Sequence, residues 1–449
     1  MLKKLVIIMK TDLTSGNITK VLLGFALPMI AGNLLQQIYN IADTLIVGRY
    51  LGEDALAAVG STYTLTTFLY SIIIGLCMGS GALVSYYCGG NVPQKQKNAV
   101  AAAFILIGTV SLAAEIITLC TVNGIIGLLK TPSEILDMTA DYVRIILSGI
   151  IFIFLYNYYA YMLRAFGNSV TPLIFLGTAS VINIVLDIIF VVYLNLGVKG
   201  AAYATLIAQT VSGMGLALYS IIREKSLRIK LSEIHFEKGE ISETLRMSFS
   251  ASVQQSVMNF GILMIQGLVN SFGTTVMAAF TVAVKIDTLA YMPAQEFGNA
   301  FSLFVSRNYG AREYGRIRDC IKKSFFISAV FCIAVSAAVV VFSESLMKIF
   351  VKAEETAIIH TGVQYLMTEG AFYVGIGILF LLYGYYRGIN KPEMSLILTV
   401  ISLGTRVALA YLLSGYEAVG VFGIWVSIPI GWFLADAAGL IYMKIKPYK

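Results

Sequence analysis

Long apolar stretches separated by short polar ones set the architecture of this chain. Windows of about 20 apolar residues, enough to carry a helix across the hydrocarbon core of a bilayer, recur at 18–47, 56–84, 98–122, 138–163, 172–194 and 200–222. A second set follows at 242–270, 276–306, 320–342, 360–386, 394–414 and 420–443. The pattern predicts an all-α polytopic membrane protein of twelve transmembrane helices, with both termini on one side. The first stretch is not uniformly apolar. At helical spacing Asn33, Gln36 or Gln37, Asn40, and Asp43 or Thr44 fall along one face. An ionised carboxylate among lipid tails costs at least a few kcal/mol, so that face is expected to look into the bundle or a water-filled cavity. Asp43 is therefore a functional candidate, and Gln36 and Asn40 on its stripe are candidates for lining a substrate cavity. Pro28, about 22 Å earlier along the helix at 1.5 Å per residue, removes a backbone hydrogen bond and marks a candidate hinge.

The two sets of spans repeat one another. Gly52, Leu56, Ala57, Ala58, Val84, Ser85 and Gly89 recur about 221 positions on as Gly273, Met277, Ala278, Ala279, Val305, Ser306 and Gly310. Tyr142 and Arg164 return as Tyr365 and Arg387, and Pro172 and Gly200 as Pro392 and Gly420. Six spans is an even number, so the halves share one orientation and relate by a pseudo-two-fold axis along the membrane normal. The expected organisation is an N-terminal six-helix lobe over 1–222, a cytoplasmic linker over 223–240, and a C-terminal six-helix lobe over 241–449. The mixed charges of the linker read first as a solvated connector.

Composition agrees with the spans: 58% hydrophobic and only 13% charged residues, against about 25% charged in soluble domains. Most of the 32 Lys and Arg fall on loops of one face, including the N-terminal tail, Lys95, Lys97, Arg164, 223–246, 307–323, Arg387, Lys391 and the C-terminal tail. The positive-inside rule makes that face cytoplasmic, and this topology accounts for the net charge of +7 without nucleic-acid binding. The tail 1–10 is too short in its apolar run for a signal peptide. Five cysteines without ligand spacing indicate neither a disulfide framework nor a metal site. Two histidines, His235 and His360, are expected in loops, and no nucleophile–base set appears, so an enzyme is not indicated.

The ordered set Leu27-Pro28, Asp43, Val47-Gly48, Leu51-Gly52, Ala55-Leu56-Ala57-Ala58-Val59-Gly60, Arg164, Gly167, Pro172, Asn183, Asp187, Gly200-Ala201-Ala202 and Ala204-Thr205 resembles the multidrug and toxic compound extrusion (MATE) family. The resemblance covers nearly the whole chain. It implies a cation-coupled antiporter of the bacterial cell membrane, a monomer working by alternating access on organic, often cationic and amphipathic compounds, with no cofactor beyond the coupling ion, H⁺ or Na⁺. In the similar bacterial branch the ion site maps onto Asp43, Asn183, Asp187, Thr205 and Tyr142. The residues themselves allow this. Asn183 and Asp187 share a helix face at i, i+4, and Asp43, Asp187, Thr205 and Tyr142 lie roughly 7 to 12 Å inside one end of their spans. Two carboxylates in one low-dielectric pocket cannot both ionise cheaply, so one holds a proton unless a cation replaces it. The oxygen-only set suits Na⁺ or H⁺ over a transition metal. A structurally satisfied polar cluster is the alternative.

In the second half the counterparts of Asn183, Asp187 and Thr205 are Leu403, Val407 and Trp425, so the ion site is expected once. Lys285, Asp287 and Glu369 are candidates for the substrate cavity, against a bracing role shared with Glu296 and Arg406; Lys285 and Asp287, at i, i+2, do not face each other. Glu115 and Asp436 read as structural or interfacial. The tyrosines Tyr156, Tyr158, Tyr159, Tyr161, Tyr383, Tyr385 and Tyr386 read as an interfacial belt, or alternatively as cation-binding faces. A flippase for a lipid-linked compound would share the two-lobed plan, but it predicts a strongly cationic cavity that the acidic first half does not suggest.

Overall fold

In a computed structural model, which describes residues 10–128, 133–228 and 234–447, the described chain is helical without strands. Most of the tail 1–10 and the middle of the expected linker lie outside the described residues. The first half contains α1 (Ile18–Leu51), α2 (Glu53–Gly89), α3 (Pro93–Leu128), α4 in two segments (Leu136–Leu147 and Ile150–Ala165), α5 (Val170–Asp187) and α6 (Gly197–Arg223). The second half contains α7 (Lys238–Asn270), α8 (Thr274–Gly310), α9 (Tyr314–Lys348), α10 in two segments (Thr356–Gly370 and Tyr373–Gly388), α11 (Pro392–Ser414) and α12 (Val421–Ile445). Among the described residues ten spans are long and apolar enough to cross a bilayer, and the bent pair of α10 makes an eleventh. The remaining helix, α7, is diluted by Lys238, Glu240, Glu243 and Arg246 in its first turns and by Gln254, Gln255 and Asn259 further on.

The chain forms two compact units, which differ from chain-order lobes at two places. One unit holds Leu27–Ser252 and the residues up to Asp12; the other holds Leu13–Ala26 and Val253–Lys449. The cuts thus fall inside α1, one residue before Pro28, and inside α7. In the first unit α7 begins directly against α2, because Gly75 and Gly79 leave no side chain in the way: a Cβ on Gly79 would sit 2.1 Å from the Met247 carbonyl oxygen. Ser80 and Ser248 share a 2.7 Å hydroxyl contact there, and the Ser252 hydroxyl donates to the Ile72 carbonyl at 3.0 Å. In the second unit Asn308 donates to the Leu13 carbonyl at 3.0 Å and Arg316 to those of Gly16 and Ser15 at 2.9 and 3.1 Å, which ties down the approach to α1.

Helices α4 and α10 break at corresponding places. Ser148 and Gly149 interrupt α4 six residues after Tyr142, and Ala371 and Phe372 interrupt α10 six after Tyr365, bending it by 52°. A helix start leaves backbone N–H groups without partners, and at Ile151 one of them donates to the Glu115 carboxylate at 3.0 Å. Glu115 therefore has a structural task, capping the second segment of α4.

The tyrosines of α4 and α10 correct the expectation of an interfacial belt. Tyr158, Tyr159, Tyr161, Tyr383, Tyr385 and Tyr386 are buried, and Tyr156 is half-buried. These segments pack in the interior of their units, and three of the phenols donate to backbone carbonyls: Tyr158 to Val100 at 2.8 Å, Tyr156 to Pro172 at 3.2 Å and Tyr386 to Gly439 at 2.5 Å. His360 likewise lies inside α10 rather than in a loop, whereas His235 is in the segment before α7.

Candidate ion-binding site

Each residue of the expected ion site belongs to the first unit, and neighbouring helices present them together. Apolar residues of α1 turn outward: Ile38, Ile41 and Leu45 are exposed, while Asn33, Gln36, Asn40 and Asp43 are half-buried on the other side. The stripe is linked along the helix, with the Thr44 hydroxyl donating to the Asn40 carbonyl at 2.8 Å and the Asn40 amide to Gln37 at 3.5 Å. On α5, Asn183 and Asp187 are buried, and Asn183 donates to the Thr205 hydroxyl of α6 at 3.3 Å. Asp187 and Asp43 interact through space, and both act on the buried phenol of Tyr142 from α4.

The site has acceptors in excess. Both carboxylate oxygens of Asp187, one of Asp43 and the side-chain oxygen of Asn183 are buried without a hydrogen-bond donor. Asp187 is 0% exposed. An unpaired buried carboxylate costs several kcal/mol, and an oxygen-only set of this kind has the chemistry to accept a proton or a small cation. Val47, Ala55, Ile146, Val191, Val198, Ala201 and Ala202 pack with Tyr142 in one apolar cluster.

Two features were not read from the sequence. After Asp187 the chain continues as a π-helical turn, Ile188–Tyr193, in which Leu194 N–H bonds back to Ile189 O at 2.9 Å. Such turns are rare and gather at functional positions; apolar periodicity carries no mark of them. Tyr39 and Tyr70 also join the cluster: Tyr39 pairs with Gln36 and feels the Asp43 carboxylate, and Tyr70 lies by Gln209, Tyr39 and Tyr142. For Tyr39 a signal existed, since it precedes Asp43 by four residues on the same face.

In the second unit the corresponding place is filled. Trp425, the counterpart of Thr205, is fully buried and stacks on Phe280 (centroids 5.5 Å apart, planes at 9°), with the edge of Tyr365, counterpart of Tyr142, at 4.9 Å. Asp287 and Glu369 are buried side by side with Tyr365, Tyr373 and Arg406 around them. Lys285 is exposed, on a different side of α8 from the buried Asp287, as their i, i+2 spacing requires. Glu296 instead accepts from Asn299 at 3.0 Å, and Asn299 and Ser302 accept from the buried Arg387 at 3.0 Å each, a network bracing α8 against α10.

The comparisons with known proteins cover the same ground. The family model described as MatE matches residues 28–189 and again 250–412, once in each half. A relative from Bacillus subtilis, the probable multidrug resistance protein YpnP, is 28% identical over 98% of this chain and 97% of its own. The probable multidrug resistance protein NorM of Thermotoga maritima is 26% identical over 92% of this chain and 89% of its own. The outward-facing structure of a multidrug resistance MATE family transporter superposes with a TM-score of 0.91 at 25% identity, over 97% of each chain. With one family model matched in both halves and near end-to-end agreement with its members, this chain belongs to the MatE family of multi-pass membrane transporters, and it is a transporter rather than an enzyme.

Proposed function

We propose that this protein exports organic, often cationic and amphipathic compounds in exchange for an inward-moving H⁺ or Na⁺ bound by Asp43, Asn183, Asp187, Thr205 and Tyr142. The observation that carries the reading is Asp187: fully buried, with neither carboxylate oxygen meeting a donor, and set beside a second acid. A proton or cation removes that imbalance, and the ion-loaded and ion-free forms then differ most at α1, α5 and α6. A coupling ion shifts a conformational equilibrium only by its differential affinity for the two states. Helix α1 offers a place for the response. Pro28 leaves the Gly24 carbonyl without its helical donor, next to the cut between the compact units.

Multidrug export is in keeping with the names of the relatives. In the first unit Gln36 and Asn40, and in the second, taken by itself, Lys285, Asp287 and Glu369, are the polar groups we assign to substrate contact. The membrane is the bacterial cell membrane, with both termini on the cytoplasmic side by the placement of Lys and Arg, and the working unit is a monomer. A lipid-linked flippase would want cations at the centre, whereas the first-unit cluster carries two carboxylates and no Lys or Arg. The reading is tested by reconstituting Asp43→Asn and Asp187→Asn. Each should insert and fold yet lose gradient-driven export, and wild-type rates in either would remove the site from the mechanism.

A further inference from the structure

Asp436 of α12 stands apart from everything above. It is 5% exposed, on the face of α12 that also carries the buried Trp432 and Gly439, while Phe433, Leu434 and Leu440 on the other faces are exposed. Both of its carboxylate oxygens are buried without a partner. Of the hydroxyls on the helices packed on this face, the second segment of α10 and α11, those of Thr399 and Ser395 are committed elsewhere. Thr399 donates to the Ser395 carbonyl at 2.9 Å, and Ser395 donates to the Tyr383 carbonyl at 2.9 Å. The Tyr383 phenol lies by Thr399 and makes no hydrogen bond to either Asp436 oxygen. Tyr386 spends its proton on the Gly439 carbonyl. Leu382 and Leu398 pack beside Gly439.

The charged groups are no nearer. On α11 the first cation is Arg406, two turns beyond Thr399 or about 10 Å along the helix, and it belongs to Asp287 and Glu369. On α12 itself Lys444 is two turns on and exposed. On α10 Tyr383 is the titratable side chain that feels Asp436, the buried Arg387 one turn on donates to Ser302 and Asn299 of α8, and Lys391, just before α11, lies over the Tyr442 ring. An ionised carboxylate here would have neither counter-ion nor donor, and an uncompensated buried charge costs several kcal/mol. A carboxyl in that position takes up a proton instead.

We propose that Asp436 is a proton-binding site of the second unit, separate from the Asp43 and Asp187 pair, and that it carries its proton in this conformation. Since the ionised form has no partner in this packing, release of the proton is linked to water reaching α12 from between α10 and α11. The inference stands whether or not Asp43 and Asp187 couple transport.

Infrared difference spectroscopy of the purified full-length protein at neutral pH tests it. Subtracting Asp436→Asn from wild type should leave one protonated-carboxyl stretch per protein, sensitive to deuterium, and the same band should persist in Asp43→Asn and Asp187→Asn. Should Asp436→Asn not fold, Asp436→Glu serves, and the band should move rather than vanish. A difference showing only an ionised carboxylate overturns the proposal. The link to packing has its own reporter, because the chain has two tryptophans and Trp432 lies one turn from Asp436. In a Trp425→Phe background, raising the pH until the carboxyl band disappears should shift Trp432 emission toward that of a wetter indole. Unchanged emission as the band is lost overturns that link.

Discussion

The seat of the first half of α7 against α2 can be broken by a single methyl group. Gly79→Ala would place its Cβ 2.1 Å from the Met247 carbonyl oxygen, 2.6 Å from the carbonyl carbon and 2.8 Å from Ser248 Cα, all of them backbone. Backbone cannot rotate away, so the helices must part by ~1 Å to regain van der Waals separation. That displacement strains the 2.7 Å contact between Ser80 and Ser248 and the 3.0 Å bond from Ser252 to the Ile72 carbonyl, each worth about 1 kcal/mol net. Overpacking adds roughly 1–3 kcal/mol, for a loss of about 3–5 kcal/mol when both bonds are broken. Gly60→Ala is the control, on the same helix with nothing within 4 Å of the added carbon, and it should be neutral or stabilising by up to about 1 kcal/mol. Thermal unfolding in detergent gives the stability, and amide hydrogen exchange over 243–252 localises it. Equal melting and equal protection in the two variants would refute the reasoning that α7 begins as a fixed part of the first unit.

Asn183→Ala and Thr205→Ala should lower gradient-driven transport less than Asp43→Asn or Asp187→Asn, because each removes a neutral ligand and leaves both carboxylates; transport rates in proteoliposomes give the order. Asp287→Asn should reduce expression or thermal stability more than ion coupling, since Asp287 sits in a buried cluster with Glu369 and Arg406; a stable variant that ignores the gradient would place the coupling in the second unit. Spin labels on the start of α1 and the end of α2 should report a distance that changes with pH or Na⁺ in wild type, and the change should be lost in Pro28→Ala and in Asp43→Asn. A change that persists in Pro28→Ala takes the proline out of the mechanism.

How far the sequence could be read follows from what periodicity measures. Apolar windows register how much of a segment is greasy, so the helices and the duplication were plain, and the stripe from Asn33 to Asp43 pointed inward as drawn. Windows do not register backbone pairing. The π-helical turn after Asp187 and the breaks after Tyr142 and Tyr365 passed unseen, although Ser148-Gly149 was a visible weak point. Nor do they register which neighbour a helix end prefers, so chain-order lobes missed that α1 and α7 begin in one compact unit and continue in the other. The signal for that lay in Gly75 and Gly79, whose spacing admits a second backbone. Tyrosine misled for a different reason: its amphipathic ring suits a membrane interface and a buried carbonyl equally, and Tyr158 took the carbonyl. Trp425 stands at the position of Thr205 in the second half, buried against Phe280 and Tyr365, and an indole has no acceptor to offer a cation in place of a hydroxyl.

Exchange itself is the central claim, and ion flux driven by substrate tests it most directly. Proteoliposomes are loaded with the coupling ion at equal concentration on both sides, a gradient of a transported organic cation is imposed, and H⁺ and Na⁺ movements are followed separately. The account predicts that one of the two ions moves against the substrate in wild type and that neither moves in Asp43→Asn or Asp187→Asn. Substrate flux with no counter-movement of either ion, or ion movement undiminished in both neutralised variants, would contradict it.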